Sequence, residues 1–114
     1  MSVKMTTRQV GDVTVVDTEG RITLGDGATT FRDTLRDLAN AGNKKLLLNL
    51  AEVSYIDSSG IGEMVSGFTT VTNQGGQVKL LNLTKRVKDL LQITKLYTVF
   101  EVHDDEAKAI RSFS

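Results

Sequence analysis

The spacing of apolar residues changes period several times along the chain, and each change marks a structural element. Val3 to about Val10 and Val13 to Glu19 read as two strands; Val13, Val15 and Val16 are β-branched, and Gly11-Asp12 supplies the short turn of a hairpin. Gly20, Gly25 and Gly27 then punctuate a loop. A helical period follows, with Phe31, Leu35, Leu38 and Ala39 on one face, Thr29 or Thr30 as cap and Asn40-Ala41-Gly42-Asn43 as the stop. Lys45 to Leu50 forms a short strand, and its unbroken Leu46-Leu47-Leu48 run predicts burial on both faces, as in a parallel sheet.

The clearest helix runs from Ile61 to about Thr72, where Ile61, Met64, Val65, Phe68 and Val71 recur at helical spacing before Asn73-Gln74-Gly75-Gly76 ends it. Gln77 to Leu81 is another strand. Thr84 caps a helix that buries Val87, Leu90 and Leu91, and Thr98 to Val102 reads as the last strand. Asp104-Asp105-Glu106 place acids at the positive end of a final helix through about Ser112. Strands alternating with about four helices imply crossover connections, so the expectation is a single α/β domain over 1–114 with a mixed, largely parallel sheet.

Composition narrows the chemistry. Lys+Arg and Asp+Glu are 14 each, and a net charge of zero gives no general attraction to nucleic acid or acidic membranes. Cysteine is absent, which removes disulfides, thiol catalysis and thiolate metal sites. His103 is the only histidine and aromatics are 5%, too few for a base-stacking platform. The first residues, Met1-Ser2-Val3-Lys4-Met5-Thr6-Thr7-Arg8, lack the apolar core of a signal peptide, and a cytoplasmic location is expected.

The most informative segment is Val53-Ser54-Tyr55-Ile56-Asp57-Ser58-Ser59-Gly60-Ile61-Gly62, between a buried strand and the strongest helix. Either Asp57 or Ser58 is suited to be the N-cap, which puts Ser58, Ser59 and Gly60 at the first turn. Amides there lack intrahelical partners, and the helix dipole would favour a phosphate. Capping alone explains the same residues. A serine hydrolase would want a G-x-S-x-G elbow and a histidine base, but Ile56 and Asp57 stand two positions before the serines. A P-loop would need a Gly-Lys-Ser/Thr ending, which the chain lacks. A reversible phosphorylation site needs only a hydroxyl on a turn that a kinase can reach.

Asp57-Ser58-Ser59-Gly60-Ile61-Gly62, following Leu46-Leu47-Leu48-Asn49-Leu50 and Ser54-Tyr55-Ile56, resembles the signature of STAS domains, and among them the bacterial anti-sigma factor antagonists. Val13-Thr14-Val15-Val16 leading to Gly20-Arg21-Ile22, Gly75-Gly76-Gln77-Val78-Lys79-Leu80-Leu81 and Val87-Lys88-Asp89-Leu90-Leu91 fit as well. The resemblance implies a phosphoprotein that works by partner switching in transcription regulation. When unphosphorylated, it would bind an anti-sigma factor that is itself a serine kinase with a histidine-kinase-like ATPase fold, and so free the sigma factor. Phosphorylation at Ser58 would end binding until a serine phosphatase restored it. The chain itself would be no enzyme and would carry no cofactor or metal. Asp57, Ser59, Gly60, Gly62, Glu63, Thr23 and Asp26 are the expected partner-binding residues. The alternatives are a non-phosphorylated STAS scaffold or sensor binding a partner protein or small anion, and an enzyme with an unrecognised base.

Two departures stand out. Arg21-Ile22-Thr23-Leu24 occupies a place where related antagonists often have an acidic residue, an apolar one and an aspartate; Asp26 follows only after Gly25. Lys85 and Lys95 stand where proline and glycine are frequent. Elsewhere, blander readings suffice. Ser59 serves the turn, Met64 and Phe68 fit a core, and Glu63, Ser66, Gly67 and Thr70 form an outer helix face suited to close docking or to solvent. Arg32, Asp33, Arg36 and Asp37 read as an exposed face with local pairs, Lys85, Arg86 and Lys88 as solvated cations, and the acids beside His103 as helix entry.

Overall fold

The computed structural model describes residues 3–113; Met1, Ser2 and Ser114, the ends of the expected domain, lie outside the described residues. The β-branched run from Val13 extends further than its pattern indicated. β2 (Val13–Ile22) pairs antiparallel with β1 (Val3–Val10) and parallel with β3 (Lys45–Ile56). β4 (Gln77–Leu81) and β5 (Glu101–His103) continue the parallel ladder, in the spatial order β1-β2-β3-β4-β5.

Strand order follows chain order without reversal, so right-handed crossovers put every connecting helix on one face. The buried cluster has that arrangement. Leu46, Leu48 and Leu50 of β3 and Val78 and Leu80 of β4 pack with Phe31 and Leu35 of α1 (Asp26–Asn40), Ile61 and Met64 of α2 (Ser58–Asn73), and Val87 and Leu91 of α3 (Lys85–Ile93). Leu46, Leu47 and Leu48 are fully buried, and each contributes about 1.5–3 kcal/mol relative to exposure. Leu47 points to the opposite face, where Val13, Val15 and Leu81 meet Ala109 of α4 (Glu106–Ser112). That face also carries charge. Arg8 joins Asp17 and Glu106, and the nearly buried Lys79 reaches Glu101 at 2.9 Å and Ser112 Oγ at 2.8 Å.

Four further sequence expectations need correction. α1 begins at Asp26, not after Thr29 or Thr30; its cap is Gly25 at φ 100°, with no side-chain bond, because β2 stays paired to Ile22 and leaves only three residues for the loop. β3 continues six residues past Leu50 to Ile56. Register shifts between Asp17 and Glu19 and between Gly20 and Arg21 break the alternation that would have announced it. β5 is shorter and later than Thr98–Val102, since residues 97–100 form turns that seat Phe100 edge-on against Phe68 at 5.3 Å. Gly67 is not on an outer face: it is buried, and a Cβ there would stand 2.4 Å from Leu35 Cδ1, so its lack of a side chain brings α2 against α1. The Arg32-Asp33-Arg36-Asp37 face does form its local pairs.

Hydrogen bonds from Lys79 and then His103 pull the Glu101 carboxyl down from 4.5 to about 2. A depressed carboxyl contributes stability that is fully present above its unfolded value and is lost as pH falls through its folded value. The unfolding midpoint in urea should therefore drop between pH 4.5 and about 2 more steeply in the native chain than in Glu101→Gln. Parallel pH profiles would rule this linkage out.

Candidate functional site

The β2–β3 ladder ends at the pair Ile22 and Ile56, and both chains leave the sheet there. One enters the loop 23–25 and α1; the other passes through Asp57 into α2. Asp57 has an extended backbone and is the N-cap, which settles the choice between it and Ser58. Its Oδ1 accepts from the Gly60 amide at 2.9 Å and its Oδ2 from the Leu24 amide at 3.0 Å, while its own amide donates to Ile22 O at 3.4 Å. One carboxylate thus fastens the helix start to the loop after β2. Partial desolvation pushes this carboxyl up, but the amides of Gly60, Leu24 and Ser59 outweigh it and hold the group below its ordinary value.

Ser58 is the first residue of α2 and is exposed, with no hydrogen-bond partner for its hydroxyl among the described residues. Gly60 is buried in the same turn. A Cβ there would lie 2.2 Å from Ile22 O, and one on Gly27 would lie 2.4 Å from Arg21 O, so both helices start in backbone contact with the end of β2. Gly62 faces open space. Thr23 is half-buried and its carbonyl accepts from Ala28, Asp26 is exposed in the first turn of α1, and Glu63 lies 3.8 Å from Arg32. The structure therefore gathers Thr23, Asp57, Ser58, Ser59 and Gly60 at one junction, with Asp26, Gly62 and Glu63 in the helical turns that leave it.

Sequence reasoning gave no role here to four neighbours, Leu24, Tyr55, Arg21 and Arg86. Leu24 is 80% exposed although it is apolar, and the Asp57 carboxylate holds its backbone. Tyr55, three residues before Ser58, has the Arg86 guanidinium 4.3 Å and the Arg21 guanidinium 4.9 Å from its ring centroid. The signal for Leu24 was an apolar residue in a glycine-bounded loop; Arg86 comes from α3 and left no local signal.

The arrangement offers an exposed hydroxyl at a helix start whose Ser59 and Gly60 amides are turned to Asp57. Both Asp57 oxygens are engaged by amides, and His103 lies by Glu101 and Ser112 of the α4 face. Among the described residues, no group of three or more His, Asp or Glu side chains is placed to hold a metal ion, and no helix is long and apolar enough to cross a membrane.

Comparison with known proteins shows relatives in sequence and in fold. The family model for the STAS domain matches residues 4–109. The anti-sigma-B factor antagonist of Bacillus subtilis is 40% identical over 75 residues, which are 66% of this chain and 68% of that protein. The crystal structure of a Thermotoga maritima protein assigned as an anti-sigma factor antagonist superposes with a TM-score of 0.87 at 24% identity, over 96% of this chain and 93% of its own. The Bacillus cell fate determinant SpoIIAA, an anti-sigma factor antagonist at 19% identity, shares the fold in unphosphorylated and phosphorylated forms, with TM-scores of 0.70 and 0.73. Those two structures cover 95% of this chain and 96% and 97% of their own.

The two neighbouring glycines separate packing from surface. Gly60→Ala must displace the Ile22 carbonyl and should destabilise the fold by about 1–3 kcal/mol. Gly62→Ala meets nothing and should stabilise it by up to about 1 kcal/mol through helix propensity. Urea unfolding of both variants checks the pair; equal effects would contradict the assigned contacts.

Proposed function

The chain belongs to the STAS domain family, and on that premise we propose that it is an anti-sigma factor antagonist controlled at Ser58. In this reading the unphosphorylated chain docks on an anti-sigma factor that is also a serine kinase. That partner transfers the γ-phosphoryl group of ATP to Ser58 Oγ, and a serine phosphatase later removes it. The chain supplies the hydroxyl and the docking surface, and the nucleotide and catalytic groups belong to the partners.

One observation carries the proposal: Ser58 is exposed, its hydroxyl unengaged among the described residues, at the first residue of a helix whose cap is already provided by Asp57. A kinase can take this hydroxyl without costing the fold a hydrogen bond. The names of the relatives support the role, as does the occurrence of SpoIIAA in both phosphorylation states. The docking surface comprises Thr23, Leu24 and Asp26 from the first exit, with Asp57, Ser59, Gly62 and Glu63 from the second. Gly60 acts from below by letting α2 seat on Ile22.

Release follows from electrostatics. A phosphoserine adds about −1.5 to −2 charges at pH 7. Here it would stand beside the Asp57 carboxylate, in the middle of the docking surface, while the helix N-terminus tolerates it. The partner would meet a bulky dianion where it had met a small hydroxyl.

Ser58→Ala should bind the cognate anti-sigma kinase with native affinity and accept no phosphate from labelled ATP. Ser58→Asp should weaken binding by at least about tenfold, or 1.4 kcal/mol, in titration calorimetry. Full labelling of Ser58→Ala would overturn the assignment.

A further inference from the structure

The Tyr55 ring holds two cations, and neither has an anion. Arg21 and Arg86 are exposed, and among the described residues no carboxylate lies within ion-pairing distance of either. Arg8, Arg32 and Arg36, by contrast, each sit on carboxylates, and Lys85, next to Arg86, is paired with Asp89. A net-neutral molecule therefore keeps an uncompensated pair of guanidiniums at one spot. Two like charges over one ring repel each other, although each is drawn to the ring's negative face.

The pair is held in place. Arg21 lies on β2 opposite Tyr55 in the ladder. Arg86, in the first turn of α3, donates from Nε to Ile56 O at 3.3 Å, which anchors the near side of its guanidinium. β2, β3 and α3 thus converge on the stretch of chain that runs into Asp57 and Ser58. Planar guanidiniums restrained in this way have already lost much of the rotamer freedom that binding would cost, and their fork matches a carboxylate in a bidentate pair. Arginine and tyrosine are also the side chains that most often dominate protein interfaces.

We propose that Arg21 and Arg86, positioned by Tyr55, form a carboxylate-binding edge of the docking surface and receive an acidic side chain or short acidic segment of the protein partner. The proposal rests on the docking surface assigned above and specifies the charge its partner must present. A nucleic acid is the poorer fit, because tracking its phosphates needs an extended basic stripe, and the chain as a whole has no charge surplus.

The test is calorimetric titration of the unphosphorylated chain with its cognate anti-sigma factor at two salt concentrations. Arg21→Glu and Arg86→Glu should each weaken binding by about tenfold and flatten its salt dependence, because a single reversal neutralises the pair. Arg86→Lys, which keeps the charge but loses the fork, should give a smaller loss. Tyr55→Leu, which keeps both arginines, should weaken binding several-fold by releasing them. Unfolding curves verify that each variant is folded, and Ser58→Asp is titrated in parallel. If the native chain binds and Ser58→Asp does not, yet both charge reversals leave affinity and salt dependence unchanged, this inference fails while the proposed function stands. If the native chain does not bind, both fail. If the reversals shift the phosphorus resonance of the Ser58-phosphorylated chain but not partner affinity, the arginines serve the chain's own phosphate and the inference is overturned.

Discussion

The end of the β2–β3 ladder is organised by one carboxylate. Asp57 accepts the Gly60 amide with one oxygen and the Leu24 amide with the other, so the two chains leaving the β2–β3 ladder are joined through a single side chain. Neither bond is strong alone, since an exchange of water for protein partners nets about 1.5–3 kcal/mol even with a charged acceptor. Their value is geometric. They fix where the first turn of α2 stands relative to the loop, and hence how Ser58 and Leu24 are placed relative to each other. Contact of Gly27 and Gly60 with the carbonyls of Arg21 and Ile22 makes the same junction rigid from beneath.

Charge is distributed with the same economy. On the face covered by α4, cations and anions satisfy each other: Arg8 with Asp17 and Glu106, Lys79 with Glu101. Around the Ser58 turn they do not, for Arg21 and Arg86 lie on a ring and Asp57 is spent on backbone amides. A total charge of zero describes neither region. It averages the paired charges of one side with the unpaired Arg21 and Arg86 of the other.

What could be read from the sequence followed the range of the interactions involved. α2, α3 and the leucine run of β3 were legible because period and burial act within a few residues. The Thr84 and Asp57 caps were legible because a side chain serves an amide three positions on. The start of α1 was hidden, since Gly25 caps by conformation alone and leaves the threonines nothing to do. The second half of β3 was hidden because a shifted register scrambles alternation. At the site, the sequence located Asp57 and Ser58 but showed Arg21 only as a departure and Arg86 as one of several surface cations. Their meeting over Tyr55 depends on packing between β2, β3 and α3, which no local pattern encodes.

The unreversed strand order also has a cost on the far side of the sheet. Three crossover helices shelter one face, whereas the apolar patch of Val13, Val15, Leu47 and Leu81 is roofed by the seven residues of α4 and by Phe113. A helix of two turns has almost no stability of its own and is held by the charges and the ring that touch Lys79. By length and packing, α4 belongs to the low-stability end of the molecule, and the sheet with its three crossover helices to the high-stability end. Amide exchange would be fast at the chain's last helix and slow at its centre, so fluctuations at the carboxyl end stay insulated from the junction that Asp57 holds.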